Sequence, residues 1–188
     1  MLKVYRLLLL PVVVALMSCG GGGGSSNTDL LSNPVVLGDG NQTVRLDRTD
    51  RYSVDINSSG NRVTVAAGNK LDSVRMGGTS NSLSFETGSS ATLLEVSGSN
   101  DSVSLADHVT VRAIRLSGAN AVLMITAADV VDVLTIQGAN ASVTIADTSA
   151  AVARIELSGS NAVVSVPAGY KAKTVIVDTG ANNSVAER

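Results

Sequence analysis

Aromatic residues are almost missing from this 188-residue chain: it has no Trp, one Phe and three Tyr. A core built on rings is therefore excluded, and so is a platform of rings for stacking sugars or bases. One cysteine leaves no intrachain disulfide, so packing alone must hold the fold. One histidine, His108, leaves too few soft ligands for a zinc centre. Fourteen basic side chains against 16 acidic ones give no basic surplus, which excludes a nucleic-acid partner. The longest apolar run, Leu7 to Leu16, is too short to span a bilayer as a finished helix.

That run follows Lys3 and Arg6 and ends at Leu16-Met17-Ser18-Cys19, after which come five glycines. A positive start, a short apolar stretch and a small residue before the break read as an export signal. The motif resembles the lipobox of bacterial lipoproteins, with Leu three places before the cysteine and a small residue next to it. The alternative is an ordinary secretory signal with an incidental cysteine. The resemblance implies cleavage before Cys19, a diacylglycerol on its thiol and an acyl chain on the new amino group. Two or more chains anchor a protein stably without a membrane-spanning helix, at about 0.8 kcal/mol per buried methylene. Gly20, where enterobacterial lipoproteins held at the inner membrane carry Asp, implies the outer membrane. Removing residues 1–18 takes away Lys3 and Arg6 and leaves 12 basic against 16 acidic side chains, a net charge of −4. Residues 19–34 then form the lipidated cysteine and a Gly/Ser linker with a reach of about 20 Å, and residues 35–188 form one domain.

What the chain has in abundance is repetition. Units begin at Asp39, Ser58, Gly78, Gly98, Gly118, Gly138, Gly159 and Gly180, in steps of 19, 20, 20, 20, 20, 21 and 21 residues. Each carries a first apolar pair, such as Val63/Val65 or Leu123/Ile125, and a closing pair, such as Val74/Met76 or Ile114/Leu116. The last closing pair is read as Val175/Val177. Between the pairs stands one more inward residue: Tyr52, Leu71, Ala91, Val111, Val131, Val152 and, in the unit that begins at Gly159, Ala172. Period-two alternation with β-branched residues predicts strands. A unit of 20 residues is too short for a helix pair or a propeller blade. The fold expected is all-β: a right-handed parallel β-helix, a three-sided β-solenoid of about eight coils. At about 4.8 Å per coil the rod is about 35–40 Å long. A single coil cannot bury its own apolar pairs, so the chain must repeat itself in order to fold.

Asn41, Asn61, Asn81, Asn100, Asn120, Asn140, Asn161 and Asn182 recur near the first corner. Asn tolerates left-handed backbone and can bond to a copy of itself one coil away. They are read as structural, with a polar ligand stripe as the alternative.

Two outward columns are the candidate binding surfaces. Within the closing pairs lie Asp55, Arg75, Glu95, Arg115, Thr135 and Glu156, a charge column in which Arg75 and Arg115 are the cations. It is read as a salt ladder that fixes register before it is read as a site. Within the first pairs lie Arg45, Thr64, Ser84, Ser104, Met124, Thr144 and Ser165, mostly hydroxyls. This column resembles the faces of ice-binding solenoids, or a face that lies along a glycan. Catalytic readings are weaker. Asp107, Asp129, Asp132 and Asp147 fall near the middle corners but at different places within their coils, whereas glycoside cleavage needs two carboxylates across one bond. His108 is read as an exposed corner residue. No metal or cofactor beyond the covalent lipid on Cys19 is expected.

The open ends of a β-helix invite an added strand. Val35 and Leu37 are expected to form a partial cap at the start. Glu187 falls at an inward place near the other end, where a charge discourages stacking; end-to-end self-association is weighed against it. The lipobox and the Gly-x-Asn units together resemble small exported bacterial lipoproteins built of β-solenoid repeats, a domain-of-unknown-function group. The resemblance implies a fold and an envelope location, and no activity. The function expected is a non-enzymatic envelope module, lipid-anchored in the membrane, that binds a protein or polysaccharide through its sides or open end. The alternatives are a polysaccharide-active β-helix enzyme and an ice- or surface-binding solenoid.

Overall fold

A computed structural model describes residues 34–188. The expected signal segment (1–18), Cys19 and all but the last residue of the expected linker lie outside the described residues. The chain from Pro34 onward is a right-handed parallel β-solenoid in which each coil contributes one strand to each of two eight-stranded parallel sheets. One sheet, called the long-strand sheet for its seven-residue middle strands, holds β1 (Val35–Leu37), β3 (Tyr52–Ile56), β5 (Lys70–Met76), β7 (Ser90–Val96), β9 (Thr110–Leu116), β11 (Val130–Ile136), β13 (Ala151–Leu157) and β15 (Val175–Asp178). The other holds four-residue strands: β2 (Thr43–Leu46), β4 (Arg62–Val65), β6 (Ser82–Phe85), β8 (Ser102–Leu105), β10 (Val122–Ile125), β12 (Ser142–Ile145), β14 (Val163–Val166) and β16 (Ser184–Glu187).

The three expected sides are thus hydrogen-bonded into two sheets. The middle inward residue and the closing pair belong to one strand, of five residues in β3 and seven from β5 to β13. In β5 the buried residues are Leu71, Val74 and Met76. The step of three from Leu71 to Val74 breaks the two-residue alternation, and the pairing to β7 passes over Asp72 at that point. A strand that keeps strict alternation would turn either Leu71 or the closing pair to solvent. The slip lets both face the core, which serves the purpose of a separate third side.

The core is a stack of aliphatic rows. Val63, Leu83, Val103, Leu123, Val143 and Val164 form one, and Val74, Leu94, Ile114, Leu134 and Ile155 another, all buried. Each such side chain contributes about 1.5–3 kcal/mol by leaving water, but only when the coils above and below cover it. The coils approach closely where each unit begins. A Cβ built at Gly118 would run into the carbonyl of Gly98, and one at Gly138 into that of Gly118, so a side chain is excluded there by the stacked backbone.

Tyrosines close both ends of the middle row. Tyr52 is fully buried in the first coil, and its hydroxyl donates to Asn69 Oδ1 at 3.1 Å. At the other end the expected inward residue, Ala172, is exposed. A 3-10 turn at Tyr170–Ala172 replaces the start of the long strand there and swings Tyr170 into the core instead. The Tyr170 hydroxyl donates to the Ala150 carbonyl at 3.0 Å and accepts from the Val152 amide at 2.9 Å. One side chain thereby occupies the missing rung and satisfies two backbone groups, the Val152 amide of β13 and the Ala150 carbonyl just before that strand. The turn also moves the last closing pair by one place. Ile176 and Asp178, not Val175 and Val177, align with Ile155 and Leu157. Val175 is consequently 55% exposed.

Candidate binding faces

The short-strand sheet turns two in-register columns outward. Pairing puts Arg45 beside Thr64, Thr64 beside Ser84, Ser84 beside Ser104, Ser104 beside Met124, Met124 beside Thr144 and Thr144 beside Ser165. The hydroxyl column read in the sequence is therefore one continuous line, and Ser84 Oγ donates to Thr64 Oγ1 at 3.2 Å along it. Beside it runs a second outward column that sequence reasoning missed: Thr43, Arg62, Ser82, Ser102, Val122, Ser142, Val163 and Ser184. Its signal was available, because the residue before each first pair shares the same alternation. From Ser82 to Ala186 the two columns together contain no charged residue. They alternate hydroxyls with exposed apolar side chains, Val122 at 48%, Met124 at 46% and Val163 at 51%. The cations of this face stand in its first coils. Arg45 pairs with Glu86, two coils further along, through two hydrogen bonds, one of them 2.8 Å long. That bonding holds the Glu86 carboxyl below its ordinary range.

The long-strand sheet has the opposite character. Asp55, Arg75, Glu95, Arg115, Thr135 and Glu156 stand in register as one column. Arg75 lies 3.8 Å from Asp55 and 3.6 Å from Glu95, and Thr135 donates to Glu156 at 3.4 Å. Arg51 bonds Asp72 at 2.8 Å and Arg154 bonds Glu156 at 2.6 Å on the same sheet. Arg115 is exposed beside Glu95 and Thr135, without an ion pair to either. These groups mostly engage one another.

The corners carry polar ladders. Asn100, Asn120, Asn140 and Asn161 sit in left-handed backbone. Each later side-chain amide donates to the carbonyl oxygen of the one before, at 2.9, 3.2 and 3.3 Å. Asn61 and Asn81 do not belong to this line. They lie one place later in their coils, buried, where later coils have Ala121, Ala141 and Ala162. There Asn61 Oδ1 accepts from the Gln42 amide, Asn81 Oδ1 from that of Asn61, and Asp101 Oδ1 from that of Asn81 at 2.7 Å. The second oxygen of Asp101 is buried without a partner, and burial raises this carboxyl above its ordinary value.

The acids singled out at the middle corners do not converge. Asp129 is fully buried, and its two oxygens accept from the Val109 and Thr126 amides, each at 2.8 Å. Burial raises its carboxyl too, against those two bonds. Asp147 is exposed and caps the Ser149 amide at 2.7 Å. Asp132 points outward from β11, and Asp107 is an exposed corner residue. His108 is an exposed corner residue in left-handed backbone, at the place that Gly68 and Gly88 hold in earlier coils. Among the described residues no group of three or more His, Cys, Asp or Glu could hold a metal ion, and no helix is long and apolar enough to cross a membrane.

Comparison with protein-family models, with curated proteins and with solved structures found no match. The faces themselves therefore carry the functional reading.

Proposed function

We propose that the chain is a cell-envelope lipoprotein, anchored by lipid on Cys19 in the outer membrane, whose solenoid is a non-enzymatic binding module. The ligand is a protein or polysaccharide that lies along the short-strand face, on the side that carries Thr64, Ser84, Ser104, Thr144 and Ser165. The observation that carries this reading is the difference in commitment between the two faces. The long-strand face engages most of its charges in its own ion pairs, with Arg115 an exception, whereas the short-strand face presents an array of hydroxyls and apolar groups. Such a surface is cheap to desolvate and can bond an extended partner rung by rung. A non-enzymatic role is supported by the use of the buried carboxylates, Asp101 and Asp129, as acceptors for backbone amides inside the coil. The exposed hydroxyls have no histidine beside them to activate one, since His108 stands at a corner.

Two experiments test the halves of the proposal. Labelled palmitate should be incorporated into the parent chain and not into Cys19→Ser; equal labelling of both would remove the anchor. The chain from residue 20 onward contains every described strand. Immobilised, it should retain a saturable species from solubilised envelope protein, sacculi or surface polysaccharide. Retention of nothing from any of the three would remove the binding role.

A further inference from the structure

At the C-terminal end of the rod both sheets finish on an acid in a row that is otherwise apolar. On the long-strand sheet the row runs Leu37, Ile56, Met76, Val96, Leu116, Ile136, Leu157 and then Asp178. On the short-strand sheet it runs Leu46, Val65, Phe85, Leu105, Ile125, Ile145, Val166 and then Glu187. The one-place shift made by the Tyr170–Ala172 turn is what brings Asp178, in place of Val177, into the first of these rows. Both acids are tied down at the rim. Asp178 Oδ1 accepts from the Gly180 amide at 3.0 Å and from Asn183 Nδ2 at 2.9 Å, and Glu187 Oε1 accepts from the Lys171 amide at 3.1 Å.

We infer that Asp178 and Glu187 form a charge stop that keeps a second copy of this chain from stacking end to end on the rod. The parallel repeat makes a second copy the partner that the end would otherwise fit. β15 and β16 have no neighbour on their outer side among the described residues, and β1 and β2 open the opposite end with the same strand direction. A copy placed in register would continue both rows with its Leu37 and Leu46. Each carboxylate would then be buried against a leucine; the arginines that flank Leu46, Arg45 and Arg48, are already paired with Glu86 and Asp50, and the Arg188 guanidinium is bonded to the Ile145 carbonyl. A buried ion does not recover that cost without a partner. Unprotected strand edges otherwise template such addition.

The test uses the chain from residue 20 onward and sedimentation velocity over a wide concentration range. The parent chain should remain a single rod. The double variant Asp178→Leu/Glu187→Val should at least double its weight-average mass as concentration rises, with a frictional ratio that grows as rods lengthen. Val36 is the β1 residue whose backbone faces the open side, because Leu37 O is taken by the Asn57 amide. Adding Val36→Pro to the double variant should return single rods if association is head to tail. Glu187→Val alone leaves the Asp178 turn intact and should associate to a smaller degree, which covers loss of folding in the double variant. Self-association of the parent chain would overturn the inference. So would single rods from variants that keep the parent circular dichroism, or association that Val36→Pro leaves unchanged.

Discussion

On one side of the rod the outward column reads Asp55, Arg75, Glu95, Arg115, Thr135, Glu156; on the other it reads Arg45, Thr64, Ser84, Ser104, Met124, Thr144, Ser165. Both arise from the same 20-residue step, and both are held in register by the same aliphatic core. The repeat thus supplies geometry without chemistry, and what each face can do depends on the residues placed on it. Arg75 stands one rung from Asp55 and from Glu95 and pairs with both, whereas Arg115, one rung beyond Glu95, makes no ion pair with it. Small hydroxyls interleaved with Val and Met make few such claims on one another, which is why the second face is the one proposed to take a partner.

Breaking the shared scaffold should remove both faces together. Gly118→Val drives a side chain into the Gly98 carbonyl, between coils that cannot part without losing their rows. Its cost should reach or exceed the upper end of usual overpacking penalties, about 3 kcal/mol, read as a large fall in the thermal midpoint.

The interior polar groups sharpen the comparison, because two buried acids that look alike should respond in opposite directions. Asp129 accepts an amide on each oxygen, so Asp129→Asn turns an NH2 group against a donor and should destabilise by about 1–3 kcal/mol. Asp101 has one oxygen idle, and Asn81, one coil earlier, uses its NH2 group to donate to the Gly77 carbonyl at 2.8 Å. Asp101→Asn should therefore stabilise at neutral pH, with urea midpoints as the readout.

The pH dependence follows from the same burial. Both carboxyls are raised in the fold, so the folded state holds their protons more tightly than the unfolded chain does. Their contribution favours folding at low pH. It is lost as pH climbs from the ordinary Asp value of about 3.9 through the raised folded values, and is flat above them. Asp101→Asn should flatten the Asp101 part of that slope, and a slope identical to the parent's would show that Asp101 does not contribute to it.

The smallest effect belongs to the charge column. Arg75→Ala removes two pairs between an exposed guanidinium and half-buried carboxylates, each contributing about 0.2–1 kcal/mol. The loss should shrink further in high salt. A salt-independent loss would point to packing of the Arg75 stem instead.

The repeat phase made most of the fold legible. Every middle inward residue from Tyr52 to Val152 is buried, and the two outward columns stand in the register that the spacing required. Two departures came from places where the phase breaks. Within PAGYKAKT, residues Tyr170–Ala172 turn as a 3-10 helix, and a pattern carried forward from earlier coils cannot show that Tyr170 will displace Ala172 or that Asp178 will take the place of Val177. The asparagines form two lines, since Asn61 and Asn81 sit one residue later than Asn100; there Gly60 and Ser80 take the left-handed corner instead. The candidate face was half legible. One column was visible between the members of each first pair, but its neighbour, from Thr43 to Ser184, begins outside the pairs. Cys19 and the signal segment lie outside the described residues, so the anchor rests on the motif alone.

The most direct measurement compares the two faces in one binding assay. Ser104→Lys/Thr144→Lys places charge on the short-strand face, at surface positions where the fold should change by no more than about 0.5 kcal/mol apiece. Arg75→Glu/Arg115→Glu reverses charge on the other and costs more, because it gives up the Arg75 pairs and stands four acids in one column, so its fold is checked by circular dichroism first. With a retained envelope ligand in hand, the lysine pair should abolish retention, and the glutamate pair should leave it within about twofold of the parent. Loss of retention in the glutamate pair alone would place the binding surface on the charged sheet and contradict the assignment.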